Sequence, residues 1–373
     1  MRVLIDATAV PADRGGVGRY VDELVPQLDA LGADLVLAVQ ARDVGHYGAL
    51  APHGRVVAAP AVAARRPVRL AWEQTGLPAL ARRVRADVLH CPHYTMPALA
   101  PVPVVVTLHD ATFFTDPDLH LPTKARFFRA ATRLATRRAA GLVVPSRATR
   151  DEVVREAGAD PERFTVAYHG VDASRFHPTS AAEQQRVRAT LGIGDLPYVA
   201  FLGTLEPRKN VPALVRGWVR ACAELDEPPA LVLAGGRGWD DDVDAALAAV
   251  PDHLVVRRTG YLPLEDLAGL LGGALAVAYP SLGEGFGLPV LEAMACGAPT
   301  LTTRALSLPE VGGDAVAYCG TSAESIADGL VGLCASPARR SELSAAAVRR
   351  AATFTWERAA REHLGAYERA AAR

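Results

Sequence analysis

Short apolar runs alternate with helical patterns along this 373-residue sequence, and that alternation constrains the fold more than any other feature. The runs have strand length, and helical periodicity lies between several of them. Such alternation predicts an α/β fold in which helices cover both faces of a parallel sheet. The predicted strands are 2–7, 34–39, 55–60, 87–92, 102–110, 141–146 and 164–170, then 198–205, 230–236, 253–262, 274–281, 299–303 and 315–319.

A polar interval with two prolines, 172–197, interrupts the pattern before it starts again. We place a change of domain there, because 373 residues exceed one ordinary domain. Each half is then predicted to be a doubly wound, Rossmann-like sheet. The predicted helices include 19–31, 70–84, 122–140, 147–157, 210–223, 240–249, 264–271 and 289–296, and the segment 322–372 is predicted to be mostly helical.

Charge and cysteine content exclude several classes of protein. The net charge of −1 offers no overall field that would attract nucleic acid, so no nucleic-acid partner is expected. Five scattered cysteines without a C-x-x-C pair favour reduced thiols over a disulfide framework. The first residues lack a signal-peptide pattern, and no apolar run reaches the roughly 18 residues of a membrane span. We therefore expect a cytoplasmic protein.

Residues 283–292 read GEGFGLPVLE and follow a predicted buried strand. The glycines allow the backbone to approach a ligand closely, and Pro289 suits the start of a helix. Unpaired N–H groups at such a start bind phosphate. Glu284 and Glu292 do not bind phosphate but accept hydrogen bonds from hydroxyls. The stretch therefore predicts a site for a phosphorylated sugar.

The chain has only two lysines, Lys124 and Lys209, and a single asparagine, Asn210. Lys209 follows Arg208 at the end of a predicted strand, in a turn that begins at Gly203. Two adjacent cations there would neutralise a diphosphate and stabilise it as it departs. The alternative is chance, with Asn210 serving as a helix cap.

Three other predicted strand ends carry candidate ligand contacts. Gly15 and Gly16 lie in the stretch RGGVGRY, His109 and Asp110 follow an apolar strand, and Gly235 follows another. The glycines suit phosphate or sugar, and the His-Asp pair suits a ligand hydroxyl. Each also has a structural alternative. The stretch with Gly15 and Gly16 would be a flexible loop, Asp110 would cap a turn, and Gly235 would belong to a simple turn.

No metal site is predicted. His90 and His93 resemble a metal pair, but their spacing lies at a strand end and no carboxylate partner is obvious. The pair Asp116 and Asp118 lies in the half of the chain that lacks the Arg-Lys pair, which disfavours a role in holding a cation with a nucleotide.

One predicted helix, 122–140, carries four arginines on one face. A solvated face is the favoured interpretation. Peripheral docking on the anionic inner face of a membrane, or on an acceptor, is the alternative. The four are Arg126, Arg129, Arg133 and Arg137.

Several motifs together resemble the family 4 glycosyltransferases of the GT-B fold, along essentially the whole chain. They are EPRKN (206–210), the Glu284 and Glu292 pair with seven residues between, SLPEVGGDAV (307–316), GGVGRY (15–20) and FTWERAA (354–360). The resemblance implies two Rossmann-like domains that face each other across a cleft, with a C-terminal helix that crosses back to the first. The implied domains are 1–173 with about 357–373 on the acceptor side, and 174–356 for the nucleotide sugar.

The resemblance also implies roles for the candidate residues. The residues expected to act in catalysis are Arg208 and Lys209 on the diphosphate, Glu284 on the transferred sugar, and His109 facing that sugar from the first domain. Glu292 would accept from the ribose. The residues expected to bind substrate or nucleotide are Gly15, Gly16, Asp110, Gly203, Gly235, Gly285, Phe286, Gly287, Leu288 and Glu292.

The chemistry implied is transfer of a hexosyl group with retention of configuration, without a metal or a cofactor. The donor is a nucleoside diphosphate sugar, with GDP-mannose slightly favoured, and the acceptor is a hydroxyl of a glycolipid, glycan or natural product. Three other functions stay open: a nucleotide-sugar epimerase on the same fold, a non-catalytic nucleotide-sugar sensor, and a dinucleotide-dependent dehydrogenase. The last is disfavoured because Val21 stands where the third fingerprint glycine belongs.

Overall fold

Two parallel sheets organise the chain, one in each of two structural units. The computed structural model describes residues 1–12 and 14–373, with only the backbone of Leu119. The first unit comprises Met1–Gly170 and Thr355–Arg373, and the second comprises Val171–Phe354. The final segment of the chain therefore belongs to the same unit as its beginning.

All pairings between neighbouring strands are parallel. The order is β3-β2-β1-β4-β5-β6-β7 in the first unit and β10-β9-β8-β11-β12-β13 in the second. The strands are β1 (Arg2–Asp6), β2 (Asp34–Val39), β3 (Arg55–Ala58), β4 (Val88–Cys91), β5 (Val104–Thr107), β6 (Gly141–Val144), β7 (Phe164–Val166), β8 (Tyr198–Leu202), β9 (Ala230–Ala234), β10 (Val256–Gly260), β11 (Ala276–Tyr279), β12 (Thr300–Thr303) and β13 (Ala317–Cys319).

Helices alternate with these strands. No helix in the described ranges combines the length and the apolarity needed to cross a membrane. They are α1 (Gly16–Ala30), α2 (Val44–Leu50), α3 (Arg66–Val84), α4 (Thr112–Thr115), α5 (Pro122–Arg138), α6 (Arg147–Ala157), α7 (Ala181–Leu191), α8 (Val211–Cys222), α9 (Asp242–Ala248), α10 (Leu264–Gly272), α11 (Leu288–Ala295), α12 (Leu308–Gly312), α13 (Ala323–Cys334), α14 (Pro337–Ala351) and α15 (Trp356–Ala371). Short 3-10 turns lie at Ala7–Ala9, Ala41–Asp43, Ala61–Ala64, Pro117–Leu119, Pro161–Arg163 and Pro207–Lys209.

The predicted α/β class, with two doubly wound parallel sheets, is confirmed. Central strands such as β5 and β11 are buried along their whole length, as expected when helices cover both faces of a sheet. Several strands are shorter than the apolar runs that predicted them. The run 102–110 contributes only β5, because Pro103 has no N–H for the ladder and the strand ends at Thr107, with one further bond from the Leu108 N–H to β6.

The order of strands creates a switch point in each sheet. In the first unit it lies between β1 and β4, and in the second between β8 and β11. Chain connections leave in opposite directions from such a point, so the carboxyl ends of the two strands border a crevice where ligands bind. The turns that follow these strands are therefore where functional side chains are expected.

Helix α15 is attached to the first sheet by a buried chain of hydrogen bonds. His363 on α15 lies 2.6 Å from the hydroxyl of Tyr20 on α1, which lies 2.9 Å from Thr107 on β5. Thr107 lies 2.9 Å from Nε2 of His90 on β4, and Nδ1 of His90 lies 2.9 Å from Tyr367 on α15. All five side chains are at most 1% exposed. This series of hydrogen bonds thus begins at His363 and ends at Tyr367, both on α15.

One backbone carbonyl sets the direction of every bond in this chain. Nδ1 of His363 lies 2.6 Å from Ala359 O, which only accepts, so Nδ1 carries the proton and Nε2 accepts from Tyr20. The Tyr20 oxygen then accepts from Thr107, and Thr107 accepts from Nε2 of His90. Nδ1 of His90 is left to accept from Tyr367. Both histidines are neutral, because burial lowers the pKa of His363 to about 4 and that of His90 well below its usual value.

We predict that His363 makes the first unit less stable in acid. The unfolded chain binds a proton on this histidine below a pKa near 6.5 while the folded chain stays neutral, so its contribution is lost as pH falls. The destabilisation caused by His363→Gln at pH 7.5 should therefore shrink by about 2 kcal/mol at pH 5. Thermal unfolding of both proteins at the two pH values measures the difference.

The comparison between variants removes an opposing effect. Burial raises the pKa of Glu152 to about 7, so its protonation favours the folded state over part of the same range, but equally in both proteins. Exposed His253 provides the matched control, and His253→Gln should leave the pH dependence unchanged. A His363→Gln variant whose destabilisation is the same at both pH values would refute the assignment.

Candidate active site

The turns after β8 and β11 bring three charged side chains together at the switch point of the second sheet. Arg208 and Lys209 belong to the turn after β8, and Glu284 belongs to the turn after β11. The Lys209 ammonium donates to Glu284 Oε1 at 2.7 Å, and Arg208 Nη1 forms an ion pair with Oε2. One carboxylate therefore holds both cations.

Two hydroxyl groups complete the shell around this carboxylate. Tyr279 and Ser281 donate to Glu284 Oε1 at 2.9 and 2.7 Å. Lys209 also donates to the Tyr279 hydroxyl, and its ammonium lies 4.8 Å from the centre of the Tyr279 ring. The Lys209 ammonium is therefore held by the Tyr279 hydroxyl, the Glu284 carboxylate and the face of the Tyr279 ring.

Electrostatics keep the cluster ionised despite its burial. Burial acts to raise the pKa of Glu284, but the charges of Arg208 and Lys209 outweigh it and lower the pKa to about 2. Burial and the charge of Arg208 lower the pKa of Lys209, against the opposing effect of Glu284. Glu284 is therefore an anion throughout the neutral range and compensates part of the positive charge of Arg208 and Lys209.

Hydrogen bonds between the two turns hold the cluster in place. The Arg208 carbonyl accepts from the Leu282 N–H at 2.8 Å and shares the Ser281 hydroxyl proton, at 3.0 Å, with Glu284 Oε1. In return, Arg208 Nη1 donates to the Gly283 carbonyl at 2.8 Å. Fully buried Ser307 shares its hydroxyl proton between the carbonyls of Glu284 and Phe286, at 2.7 and 2.9 Å. The glycine-rich turn is thus tied on both sides.

The turn ends at Gly287, which precedes α11. Gly287 has φ of +99°, a left-handed conformation that a side chain disfavours. It directs the chain so that α11 begins at Leu288, one residue before the predicted start. Glu292 lies in α11 and is 1% exposed, and Phe286 is buried with its ring against Phe354. Any contact of Phe286 with a ligand would therefore involve its backbone.

Gly203 and Gly235 lie side by side at the ends of β8 and β9. A Cβ on Gly235, whose φ is +135°, would meet the Gly203 carbonyl oxygen at 2.1 Å. The two turns approach each other too closely for any side chain, which gives Gly235 a packing function beside the binding function predicted for it.

Asn210 occupies the N-cap position of α8, but its side chain makes no capping hydrogen bond, so the predicted side-chain cap is wrong. Its backbone has φ of +58° and ψ of +34°, a left-handed conformation that asparagine tolerates better than most residues. Its side-chain amide donates to the Thr321 carbonyl at 2.8 Å. The single asparagine of the chain therefore redirects the backbone directly after Lys209.

His109 lies at the end of β5 in the first unit and is half-buried. Its Nε2 lies 2.7 Å from the Pro92 carbonyl, so Nε2 carries the proton and Nδ1 is the acceptor of the neutral ring. Nδ1 has no hydrogen-bond partner among the described residues. Burial lowers the pKa of His109, and its ring packs edge-on against Tyr20 with centroids 4.9 Å apart. His109 thus offers a neutral acceptor in a fixed orientation.

Among the other candidates in the first unit, Asp110 has a structural function. Asp110 Oδ1 accepts from the N–H and the hydroxyl of Thr112, at 3.2 and 3.0 Å, and so closes the turn before α4. Gly15 precedes the first residue of α1, Gly16, and a Cβ on Gly16 would meet nothing within 4 Å. The beginning of α1 therefore leaves room beside its backbone.

Metal-like residue sets do not assemble into a site in the part of the chain that the structure describes. Both ring nitrogens of His90 are used in the chain of hydrogen bonds to α15. The ring of His93 packs against Tyr94 and Phe128, and burial lowers its pKa to about 3. His90 therefore takes part in hydrogen bonding within the core, and His93 takes part in aromatic packing.

The arginine face predicted on α5 is less uniform than its spacing suggested. Arg126, Arg133 and Arg137 are exposed, whereas Arg129 is half-buried and donates to the Phe113 carbonyl. The guanidinium groups of Arg129 and Arg133 lie 5.9 and 5.3 Å from the Phe114 ring. Arg129 is therefore part of the packing between α4 and α5, because the short helix α4 covers this end of the face.

Sequence reasoning missed Tyr279, Ser281 and Ser307. Tyr279 is the last residue of β11, and its aromatic character made it a typical strand residue. Ser281 lies between the strand and the glycines, and Ser307 lies in the SLPEVGGDAV motif without an assigned task. The available signal was that each of these residues has a hydroxyl group and lies near a carboxylate that needs hydrogen-bond donors if it is buried.

Comparison with known proteins assigns the chain to a family. The family model described as Glycosyltransferase Family 4 matches residues 14–175, and that described as Glycosyl transferases group 1 matches 183–350. The O-antigen chain mannosyltransferase B of Escherichia coli is 28% identical, with 99% of this chain and 100% of the relative covered. The D-inositol 3-phosphate glycosyltransferase of Mycobacterium tuberculosis is 36% identical over 59% of this chain, and the match spans only 46% of that relative.

A similar solved structure supports the same architecture. The crystal structure of Anabaena Alr3699/HepE in complex with UDP-glucose superposes with a TM-score of 0.77 and 19% identity, and 98% of each chain is covered. At this identity the similarity concerns the fold alone. The two family models together match most of the chain, and the chain is a family 4 glycosyltransferase with the GT-B fold.

Proposed function

We propose that the protein transfers a hexosyl group, with mannosyl favoured, from a nucleoside diphosphate sugar to an acceptor hydroxyl, with retention of configuration and without a metal. The observation that carries the proposal is the pair of half-buried Arg208 and buried Lys209 at the switch point of the second sheet. Mannosyl transfer is favoured because the relative matched over its full length is named an O-antigen chain mannosyltransferase. That name also favours a glycan among the acceptors considered.

The site residues have separate tasks in this proposal. Arg208 and Lys209 bind the diphosphate and stabilise the negative charge that grows on it as it leaves. Glu284 holds the two cations in position and offers Oε2 to a hydroxyl of the transferred sugar. Glu292 accepts from the ribose, and the backbone of Gly285, Phe286, Gly287 and Leu288 approaches the sugar and the phosphate.

The reaction exchanges two bonds at the anomeric carbon of the sugar. The bond to the diphosphate oxygen breaks, and the bond to the acceptor oxygen forms on the same face. The acceptor proton passes to the departing phosphate oxygen, so no protein base is required. His109 accepts a hydroxyl hydrogen of the sugar through Nδ1, and its neutral form suits that task because an imidazolium has no acceptor.

A panel of nucleotide sugars, with and without acceptor and chelator, tests the reaction. We expect release of nucleoside diphosphate that depends on an acceptor alcohol, with a GDP-sugar preferred, and that chelator does not change. Loss of activity with chelator would contradict the metal-free mechanism. Formation of an epimer from donor alone would favour the epimerase, and binding without turnover would favour the sensor.

Lys209→Met should reduce turnover at least about tenfold, because a neutral side chain of similar length stabilises no charge on the leaving diphosphate. Steady-state release of nucleoside diphosphate measures the effect. The only other lysine provides the matched control, since Lys124→Met removes the same charge from the first unit. Full activity of Lys209→Met, with an unchanged melting temperature, would exclude the assigned role.

Peripheral binding to the anionic inner face of a membrane is proposed together with a cytoplasmic location. Three exposed arginines on α5 support it: Arg126, Arg133 and Arg137. We expect the protein to sediment with vesicles that contain an anionic lipid but not with neutral ones. Arg126→Gln with Arg137→Gln should weaken that binding, whereas Arg339→Gln with Arg349→Gln on α14 serves as a control. Equal sedimentation with both types of vesicle would exclude a contact based on charge.

A further inference from the structure

A second carboxylate, Glu206, contacts the cation pair and has no task in the reaction proposed above. Its Oε1 accepts from Arg208 Nη2 at 2.7 Å and lies 3.9 Å from the Lys209 ammonium. The Glu206 side chain is 16% exposed, compared with 8% for Glu284. Glu206 therefore lies on the more accessible side of the cluster.

The four charges compensate each other within the protein. Two cations face two carboxylates, and Arg208 is shared between them through separate nitrogens. A diphosphate that binds to the cations must approach a site where Glu206 already occupies part of the Arg208 donor set. Its negative charge also repels the phosphates across a partly dry environment, where charge interactions are stronger than in water.

We propose that Glu206 weakens the binding of the product diphosphate and so promotes its release after each transfer. This inference rests on the function proposed above. A nucleoside diphosphate carries about one more negative charge than the sugar donor near neutral pH, because its terminal phosphate is no longer esterified. Repulsion by Glu206 therefore acts more strongly on the product than on the donor and limits product inhibition.

A structural task for Glu206 would have the opposite effect on binding. The Glu206 backbone carbonyl accepts from the Lys209 N–H at 2.9 Å, so the residue also belongs to the turn that presents the cations. If its side chain only held Arg208 in place, its neutralisation would loosen the cations and weaken diphosphate binding. The sign of the change therefore separates the two interpretations.

Calorimetric titration of GDP and UDP into the wild-type protein and Glu206→Gln tests the proposal. The glutamine retains an oxygen that accepts from Arg208 but has no charge. We expect tighter binding of the preferred diphosphate, by roughly three- to tenfold, and a smaller change for the corresponding sugar donor. Glu206→Asp, which keeps the charge, should bind as the wild type does. Glu342→Gln, which neutralises an exposed ion-paired carboxylate on α14, should change nothing.

Kinetics provide an independent measurement. The inhibition constant of the added product should fall in Glu206→Gln, and turnover should fall with it if release limits the rate, while KM for the donor falls or stays unchanged. Unchanged or weaker diphosphate binding by a Glu206→Gln protein with a wild-type melting temperature would overturn this inference alone. Failure of the wild-type protein to bind either diphosphate would overturn the proposed function and this inference with it.

Discussion

The site of the second unit depends on compensating the charges that are buried at the ends of β8 and β11. Two adjacent cations in a largely dry turn are costly unless an anion lies within contact distance. Glu284 provides that anion, and the hydroxyls of Tyr279 and Ser281 satisfy its remaining acceptor positions. The bonds between the two turns and the buried Ser307 follow from the need to keep these groups in register. The site is therefore held together by contacts within the protein.

The first unit is held together differently, by a buried series of hydrogen bonds between neutral groups. A single carbonyl, Ala359 O, orients five successive hydrogen bonds and thereby specifies the tautomers of His363 and His90. Tyr20 is shared between that chain and the ring of His109. The orientation of His109 is thus coupled to the docking of the last helix. A sequence in which residues 20 and 363 are so far apart gives no local indication of such coupling.

The fold was largely predictable because hydrophobic periodicity is a local property. Each apolar run became a strand, and the ends moved where proline or a turn interrupted the ladder, as at β5. The Arg208 and Lys209 pair could be found because lysine is rare in this chain. The task of Asn210 could not be found in this way, since its left-handed backbone depends on the turn around it. Likewise, Arg129 became part of the packing through α4, a helix that its own periodicity did not indicate.

The sequence by itself determined the α/β class, the two sheets, the positions of the glycine-rich turns and the residue types that suit a diphosphate and a sugar. These properties follow from patterns within short segments and from the rule that parallel strands present their ends at one edge. Only the tertiary structure decided which groups meet. It placed Glu284 against both cations and brought Glu206, Tyr279 and Ser281 into the same cluster. It also placed His90 within hydrogen-bond distance of α15. The physical reason is that the partners of a buried polar group are set by strand order and helix docking, which bring together residues that are distant along the chain.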